Sequence, residues 1–355
     1  MGSPGVLRWS GMTHSPDWSD ANKVELASVT VPEGRLITAR SHLIDRIVAD
    51  CEIVHLPEKD VAGGVIHWRK GDIVAEPPKA RRSVLRRAPG TQSGPPGRWI
   101  FDARHRTPEN WAHFLNNYVP LIFCLAAQAG YDPGDAAVLL PAKTPGYIQD
   151  AARLLGIEAL LTDETISGEG IAFDVSPWTA LRTARADWMR LPKAQEALAA
   201  ALAEPASEGL PKRFFLSRRD SRTIENEAVI ASLLEAKGFM RVFAEDLSAA
   251  DQIRLFQGAE AIVAVHGAGL APLLFCAGGR GPEHLIEILP CGHMTDVYRV
   301  MAAQVGCGWI GVRGRIKPEY VQPAYELEKA FTKYSLDSFP VDPVSLERAF
   351  DMVGL

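Results

Sequence analysis

The amino-acid sequence predicts an α/β protein built from two units. Over residues 136–163, a strand pattern (AAVLL), a helical pattern (GYIQDAARLLGI) and a second strand pattern (EALLTD) follow one another. The same alternation starts again at residue 211 and continues to residue 290. Strands that alternate with helices indicate a parallel sheet with helices on its faces. The length of 355 residues is enough for two domains of ordinary size.

Besides the strand–helix–strand pattern of residues 136–163, the first half of the chain is predicted to contain short strands, one exposed loop and two further helices. Residues 24–75 alternate β-rich runs with turn residues, a pattern typical of several short strands. The Pro-, Gly- and Arg-rich segment 77–98 is predicted to be an exposed loop. A helix is predicted over 108–129, with a kink or a division at Pro120 and an end at Gly130. The Ala-rich run KAQEALAAALAEP predicts a helix that connects the two halves.

The second half repeats the order of strand and helix. The runs RFFLSR, MRVFAED, AIVAVHGAG and HLIEILP are predicted to be strands. Helices are predicted over 224–237 and 248–257, the second with Ser248 as its N-cap. The run LAPLLFC predicts a short helix after the third of these strands.

These patterns divide the chain into three predicted parts. Residues 1–205 are predicted to form an N-terminal α/β domain, and residues 206–310 a Rossmann-like domain. Residues 311–355 are a C-terminal extension, which we expect to be helical and to pack back on the N-terminal domain. Ligands of open α/β sheets bind at the carboxyl ends of the strands, so candidate functional residues are sought there.

Composition and charge exclude several classes of protein. A net charge of −5 gives no overall attraction to nucleic acid or to anionic membranes. Five cysteines without C-x-x-C spacing argue against a disulfide framework and against a structural zinc site. No targeting segment and no apolar run of about 18 residues is evident. We therefore expect a cytoplasmic protein without a transmembrane segment.

The predicted loop carries a basic cluster that has two interpretations. Its residues are Lys79, Arg81, Arg82, Arg86 and Arg87. A solvated, mobile loop is the simpler interpretation. The alternative is contact with an anionic acceptor or with the inner face of a membrane.

A glycine loop follows the strand pattern AIVAV. His266 stands where the strand is predicted to end, and Gly267 and Gly269 let the backbone turn and approach a ligand. Ala268 and Leu270 complete the loop, and the helix predicted to follow offers N–H groups and a positive dipole end to a phosphate. A purely structural turn would have the same sequence. The third Gly and the downstream acidic residue of a dinucleotide fingerprint are missing.

Two arginines and an asparagine surround another predicted strand end. Arg218 ends the strand, Arg222 lies in the loop, and Asn226 lies in the first turn of the next helix. Spacings of four residues would stack the three on one side if the turn is helical. Guanidinium groups match the oxygens of a pyrophosphate with charge-assisted hydrogen bonds. A surface cluster offset by neighbouring acidic residues is the structural alternative.

Glu287 lies between apolar residues in the predicted strand HLIEILP. Because burial of an unpaired carboxylate is costly, this side chain needs either solvent or a partner. A ribose diol would serve as the partner, since a carboxylate accepts two hydroxyl donors.

Polar residues share one face of the helix predicted over 108–129. They are Asn110, His113 and Asn117. A histidine can act as a general base near neutral pH, and a hydrogen-bonded structural histidine is the alternative. Asp102 and His105, just upstream, are further candidates.

Several catalytic motifs are missing from the sequence. It contains no D-x-D triad, P-loop, G-x-S-x-G elbow or H-E-x-x-H motif. The charge of a bound phosphate would therefore be neutralised by Arg218, Arg222 and a helix N-terminus. No metal and no cofactor is predicted.

In combination, these motifs resemble glycosyltransferase family 61. The resemblance rests on R-x-x-x-R-x-x-x-N, EDLSAADQIRLF, A-x-x-I-V-A-V-H-G-A-G-L, a late acidic strand residue and, upstream, N-W-x-H-F-L. It covers roughly residues 100–290. It implies a GT-B architecture, in which two Rossmann-like domains face each other across a cleft and the C-terminal one holds the donor. It also implies a UDP-sugar donor, independence of metal and inversion of the anomeric centre.

The resemblance implies a role for each candidate residue. The implied donor site consists of Arg218, Arg222 and Asn226 at the diphosphate, His266, Gly267, Ala268, Gly269 and Leu270 around the phosphates and the sugar, and Glu287 at the ribose. The catalytic base is expected to be His113, with Asp102 as second choice, and Asn110 and Asn117 are expected on the acceptor side.

The predicted function is transfer of a hexosyl or pentosyl group from a nucleotide sugar to a glycan or glycolipid acceptor. The chain looks like bacterial members that build surface polysaccharide. Two alternatives stay open. One is a non-catalytic protein that binds nucleotide sugars, and the other is a Rossmann oxidoreductase, against which the incomplete glycine fingerprint argues.

Overall fold

A computed structural model gives the fold of the protein. It describes residues 22–25, 29–38, 53–56, 58–61, 65–78, 91–105, 107–173, 187–290, 293, 295–315, 317 and 335–355. The basic cluster of residues 79–87 lies outside the described residues.

The described residues contain sixteen strands and eight α-helices, numbered in chain order. The strands are β1 (Asn22–Glu25), β2 (Val29–Val31), β3 (Gly34–Thr38), β4 (Ile53–Leu56), β5 (Lys59–Val61), β6 (Val65–Ala75), β7 (Thr91–Ser93), β8 (Trp99–Asp102), β9 (Ala136–Leu140), β10 (Glu158–Leu161), β11 (Thr165–Phe173), β12 (Arg213–Ser217), β13 (Met240–Phe243), β14 (Ala261–Val265), β15 (His284–Leu289) and β16 (Gly308–Arg313). The helices are α1 (Trp111–His113), α2 (Val119–Ala129), α3 (Gly146–Leu154), α4 (Pro192–Ala201), α5 (Glu227–Ala236), α6 (Ala249–Gln257), α7 (Val297–Val305) and α8 (Pro343–Val353).

The chain divides into two compact units. Unit 1 comprises Met1–Val29 and Val61–Pro205, and unit 2 comprises Thr30–Asp60 and Ala206–Leu355. The sequence predicts that residues 1–205 form one domain, but β3 and β4 extend the sheet of unit 2. β3 pairs in parallel with β16, and β4 pairs antiparallel with β3. Local sequence patterns specify that a segment is a strand, not which distant strand it joins.

Unit 1 is built on a mixed seven-stranded sheet. Its order is β1-β6-β11-β8-β9-β10, and β7 also pairs with β11. Strands β11, β8, β9 and β10 run parallel to one another, whereas β6 is antiparallel to both of its neighbours. The predicted strand–helix–strand order of residues 136–163 corresponds to β9, α3 and β10. Within residues 24–75, two predicted short strands join into the single strand β6.

The helix predicted over 108–129 is divided by a π-helical segment, Phe114–Tyr118, which lies between α1 and α2. Gly130 ends α2 in the left-handed conformation, with φ 71°, as the sequence predicts. The division falls just before Pro120, the residue at which the sequence predicts a kink or a division. Pro120 lies in the first turn of α2, where its missing N–H group costs little.

Unit 2 is built on a second seven-stranded sheet of order β13-β12-β14-β15-β16-β3-β4. The first six strands in this order are parallel. Chain order reverses at β12, because the chain continues to β13 on one side of β12 and then to β14 on the other. Such a reversal opens a crevice at the carboxyl ends of the two diverging strands, where ligands of doubly wound sheets bind.

The C-terminal helix α8 covers one face of the sheet of unit 2. Its buried residues Leu346 and Phe350 join the same core as Ile37 of β3 and Val312 of β16. The sequence predicts that this extension packs back on the N-terminal domain, and the structure corrects that expectation. The apolar face of a helix fits several sheets equally well, so its docking site is decided by tertiary packing.

Asn226 fastens the segment that leads into α8. Its side-chain amide donates to the carbonyl of Val341 at 2.8 Å, and its side-chain oxygen accepts from the N–H of Val341 at 2.9 Å. The backbone of Phe339 extends this pairing, since it bonds to Thr223 and Glu225. The side chain expected to contact a diphosphate therefore has a structural role.

We expect Asn226→Ala to lower the free energy of unfolding by about 1–3 kcal/mol, because two hydrogen bonds worth roughly 0.5–1.5 kcal/mol each are lost. Urea unfolding measures this change. Val229→Ala, at an exposed position of α5, is the control and should shift stability by less than about 0.5 kcal/mol. Equal stability of the two variants would contradict the structural role of Asn226.

Candidate functional site

Two parallel strands of unit 2 deliver the main candidate residues to one edge of the sheet. Leu216 of β12 lies opposite Ala264 of β14. Arg218 and His266 each follow two residues later, so both chains leave the sheet at the same level. This edge is the carboxyl end of β12 and β14, where the chain order reverses. The topology therefore unites two motifs that are separated by nearly fifty residues in the sequence.

The guanidinium group of Arg218 packs directly on the backbone of Gly267. A Cβ atom at Gly267 would lie 1.8 Å from one terminal nitrogen of Arg218, so only glycine leaves room for this contact. The loop holds the guanidinium from the other side, because Nε donates to the carbonyl of Ser221 at 2.7 Å and Nη2 donates to its hydroxyl at 3.2 Å. The orientation of Arg218 is thus fixed by backbone contacts.

Arg222 reaches the same region by a different route from the one predicted. Helix α5 begins only at Glu227, so spacings of four residues do not stack Arg218, Arg222 and Asn226 on a helical face. Arg222 has instead a left-handed backbone with φ 58°, a conformation that costs a residue of its kind about 1–3 kcal/mol. Its N–H donates to the carbonyl of Leu336 at 3.0 Å and its Nε to that of Ser335 at 2.8 Å, which holds the turn in place.

Arg218 and Arg222 form no ion pair with any described residue. Glu245 and Asp220 act on the charge of Arg218 only from beyond ion-pair distance. Burial lowers the pKa of both guanidinium groups, and the charge of Arg218 lowers the pKa of Arg222 further. Arg219 behaves differently, since two 2.6 Å hydrogen bonds pair it with Asp246 and its guanidinium lies over Phe243. An anion with several oxygens is the natural partner of the first two arginines.

Glu287 is fully buried, and its partners are protein side chains. Its Oε1 lies 2.5 Å from Nδ1 of His266, and its Oε2 accepts a 2.7 Å hydrogen bond from the indole N–H of Trp309. Both carboxylate oxygens are occupied, and the group is not accessible to a diol. The ribose-binding role expected of Glu287 is therefore withdrawn. The carboxylate instead orients the ring of His266.

Two more rings surround His266. Tyr298, at the start of α7, packs edge-on against it with centroids 5.6 Å apart, and the ring of His293 lies 5.0 Å away. Burial lowers the pKa of His293 to about 4, and the charges of Arg222 and His266 contribute. His293 is thus neutral at pH 7, although it lies in a region of positive charge.

The glycine loop leads into a short helix, as the sequence predicts, and this helix, Ala268–Cys276, is of the 3-10 type. The N–H of Leu270 donates to the carbonyl of Gly267 at 3.1 Å. The N–H groups of Ala268 and Gly269 precede Leu270, the first donor of the helix, so they have no intrahelical partner. The loop can therefore present backbone donors beside Arg218.

In unit 1, Asp102 belongs to a buried ion pair. Both of its oxygens accept hydrogen bonds of 2.9 Å from the guanidinium of Arg104. Arg104 also donates to the carbonyls of Ala75 and Glu164. Burial by itself would raise the pKa of Asp102, but hydrogen bonds and charge from His105 and Arg104 outweigh it and hold that pKa below its usual value. Such a carboxylate is a poor base, so this geometry does not support a catalytic role for Asp102.

His113 has the geometry of a base with a fixed tautomer. Its Nδ1 lies 3.0 Å from the carbonyl oxygen and 2.8 Å from the hydroxyl of Thr107. A carbonyl only accepts, so Nδ1 carries the proton and Nε2 the lone pair. The two asparagines expected nearby differ in role. Asn110 caps α1 through bonds to the N–H groups of Ala112 and His113, and Asn117 is buried in the π-helical segment.

A protein-family model described as Glycosyltransferase 61 matches residues 111–281. Residues 111–281 belong to glycosyltransferase family 61. The match confirms the resemblance seen in the motifs, and it includes His113, Arg218, Arg222 and the glycine loop. No curated protein matches the chain.

Two further findings on the described residues concern membrane spans and metal sites. None of their helices is long and apolar enough to cross a membrane. They contain no group of three or more His, Cys, Asp or Glu side chains that could hold a metal ion.

Three residues of the site carry no signal in the sequence of this family 61 protein. Trp309 lies in β16, which the sequence patterns did not reveal. Tyr298 and Ser221 are ordinary polar residues until the fold brings them beside His266 and Arg218. A buried glutamate in a strand predicts that partners exist, but it does not say which residues they are.

We expect Gly267→Ala to displace the guanidinium of Arg218 and to weaken binding of inorganic pyrophosphate at least about tenfold, since a charge-assisted hydrogen bond contributes roughly 1.5–3 kcal/mol. Calorimetry measures the affinity, and thermal unfolding checks the fold. Gly146→Ala is the matched control, because a Cβ at Gly146 meets no atom within 4 Å. Unchanged affinity in Gly267→Ala would remove Arg218 from the anion site.

Proposed function

We propose that unit 2 of this glycosyltransferase binds a nucleoside-diphosphate sugar at the carboxyl ends of β12 and β14. The observation that carries the proposal is the unneutralised charge of Arg218 and Arg222 at the strand-order reversal, beside a glycine that admits close approach. A diphosphate brings two to three negative charges and several acceptor oxygens. Planar guanidinium groups and backbone N–H groups match both properties.

The same charges support a reaction that needs no metal ion. When the bond between the sugar and the diphosphate breaks, negative charge grows on the departing phosphate oxygen. Fixed positive groups aimed at this oxygen stabilise the transition state more than the ground state. Arg218 and Arg222 are held by backbone contacts and can act without reorganisation. The resemblance to family 61 favours UDP as the nucleotide and inversion at the anomeric carbon.

We assign His113 as the base that takes the proton of the acceptor hydroxyl. The carbonyl of Thr107 fixes the Nδ1–H tautomer, which gives Nε2 the lone pair that a general base needs. We propose an acceptor-side role for Asn117 as well, which follows in the π-helical segment. Asp102 is not part of this assignment, because Arg104 occupies both of its oxygens.

The biological setting is proposed from the resemblance alone. It favours a cytoplasmic enzyme that moves a hexosyl or pentosyl group to a glycan or glycolipid during assembly of bacterial surface polysaccharide. The resemblance also favours a GT-B architecture. Contact of the basic residues 79–87 with a membrane surface is proposed from their charge.

The donor site is tested by thermal unfolding with UDP, UDP-sugars, GDP, CMP and NAD(P), each with and without EDTA. A ligand at about 100 times its Kd stabilises the folded protein by about 2.7 kcal/mol. We expect such a shift with UDP species, unchanged by EDTA and lost in Arg218→Ala. Arg219→Ala is the matched control, since Asp246 already neutralises Arg219, and it should keep the shift. No shift with any nucleotide would overturn the proposal.

The base is tested by comparing two histidines of the same segment. We expect His113→Gln to lower kcat by about 10²–10⁴-fold with little change in UDP affinity, because general base catalysis contributes that much. His105→Gln should stay near wild-type activity. Turnover is measured as UDP release from the UDP-sugar that binds best. If His105→Gln were inactive and His113→Gln active, the base would be His105 instead.

A further inference from the structure

We propose that His266, oriented by Glu287, donates its Nε2–H to the departing diphosphate, and that Glu287 and Trp309 are positioning residues for this step. The inference rests on the proposed function, because it concerns the leaving group of that reaction. It gives His266 a catalytic role that the glycine-loop motif alone does not specify, and it gives Glu287 a role other than ribose binding.

The buried carboxylate of Glu287 needs a counter-charge. Its side chain has no exposed surface, and burial of a charge without a partner costs free energy. Trp309 supplies a hydrogen bond but no charge. Among the described residues, His266 is the one group in contact with Glu287 that can become a cation. An imidazolium at His266 satisfies the carboxylate and leaves an N–H on Nε2.

The hydrogen bond to Glu287 fixes the orientation of the His266 ring. Nδ1 of His266 is held at 2.5 Å by Glu287, and Glu287 is held by Trp309 on the neighbouring strand. The backbone N–H of His266 is bonded to the carbonyl of Ile288 at 2.9 Å. With Nδ1 and the backbone both fixed, Nε2 is the atom of His266 that can meet a ligand. No described residue bonds to Nε2.

The ring of His266 lies at the start of the glycine loop. His266 directly precedes Gly267, on whose backbone the guanidinium of Arg218 packs. The neighbouring ring of His293 is neutral at pH 7, because its pKa is lowered to about 4, so it does not compete as the proton donor. The ring of Tyr298 also packs against His266, with centroids 5.6 Å apart. His266 thus lies next to the glycine on which Arg218, one of the proposed phosphate-binding arginines, packs.

The proposed step balances as follows in atoms and charge. The bond between the anomeric carbon and the phosphate oxygen breaks, and its electron pair stays on that oxygen. The Nε2 proton of His266 moves to this oxygen as negative charge grows on it. The acceptor oxygen forms the new bond to the anomeric carbon, and its proton goes to the general base of the reaction. Solvent restores the proton on His266 after the diphosphate has left.

A purely structural link between β14 and β15 is the competing explanation, and Glu287→Gln separates the two. The indole N–H of Trp309 requires an acceptor, so it would orient the new amide oxygen toward itself and the amide nitrogen toward His266. Nδ1 would then have to accept, and the single ring proton would move to Nε2. The variant keeps a neutral donor and loses the cation, without a change in side-chain size.

We expect Glu287→Gln to bind UDP nearly as tightly as the wild type and to lower kcat by about 10²-fold, the lower end of what acid–base catalysis contributes. Glu260→Gln is the matched control. Glu260 is half-exposed at the opposite end of the same sheet, where it pairs with Lys212 and Arg213, and its loss should not change kcat. A Glu287→Gln enzyme with wild-type kcat would overturn the inference.

A second measurement needs no variant. In wild-type protein labelled with ¹⁵N-histidine, the ring signals of His266, assigned through its backbone, report which nitrogens carry protons. We expect protons on both nitrogens and a shift of Nε2 when UDP binds. A UDP complex in which Nε2 carries no proton would overturn the inference while the donor site stands. Failure of the wild type to bind UDP would instead overturn the proposed function itself.

Discussion

The buried charge of Glu287 is the constraint around which the site of unit 2 is organised. The carboxylate lies in the centre of a parallel strand and has no access to solvent. It is tolerated because His266, just past the adjacent strand β14, and Trp309, on β16, both bond to it. Three consecutive strand positions of the sheet are thereby linked through one side chain. These hydrogen bonds fix the orientation of the His266 ring. His266 directly follows β14, and the glycine loop begins after it.

Unit 1 also contains a buried carboxylate, but the partners of this carboxylate are different. Asp102 is as deeply buried as Glu287, but Arg104 satisfies both of its oxygens and uses its remaining donors on backbone carbonyls. Every polar atom in this cluster has a protein partner, so the cluster stabilises unit 1 and has no chemistry to offer. A buried carboxylate is therefore informative only when its partners are known. The partners of Asp102 give it a structural role, whereas Glu287 orients the ring of His266.

A similar contrast separates the adjacent arginines of the loop after β12. Arg219 is neutralised by Asp246 and covers Phe243, which makes it part of the surface. Arg218 turns the other way, onto Gly267, and meets no carboxylate among the described residues. Arg222 joins it only because a left-handed turn is held by the strand-like segment before α8. The C-terminal extension thus holds Arg222 of the proposed donor site in place, and Asn226 helps to fasten that extension.

The sequence by itself determined the α/β class, the strand–helix order of both halves, the glycine loop, the arginines and the family. These features are local, because the period of apolar residues, a glycine after a strand and a short motif can all be recognised within about fifteen residues. Only the tertiary structure decided that β3 and β4 join the sheet of unit 2, that α8 packs on that same sheet, and that Glu287, Asn226 and Asp102 have protein partners. Those outcomes depend on contacts between segments far apart in the chain. A polar residue looks the same in sequence whether its partner is a ligand or another part of the fold.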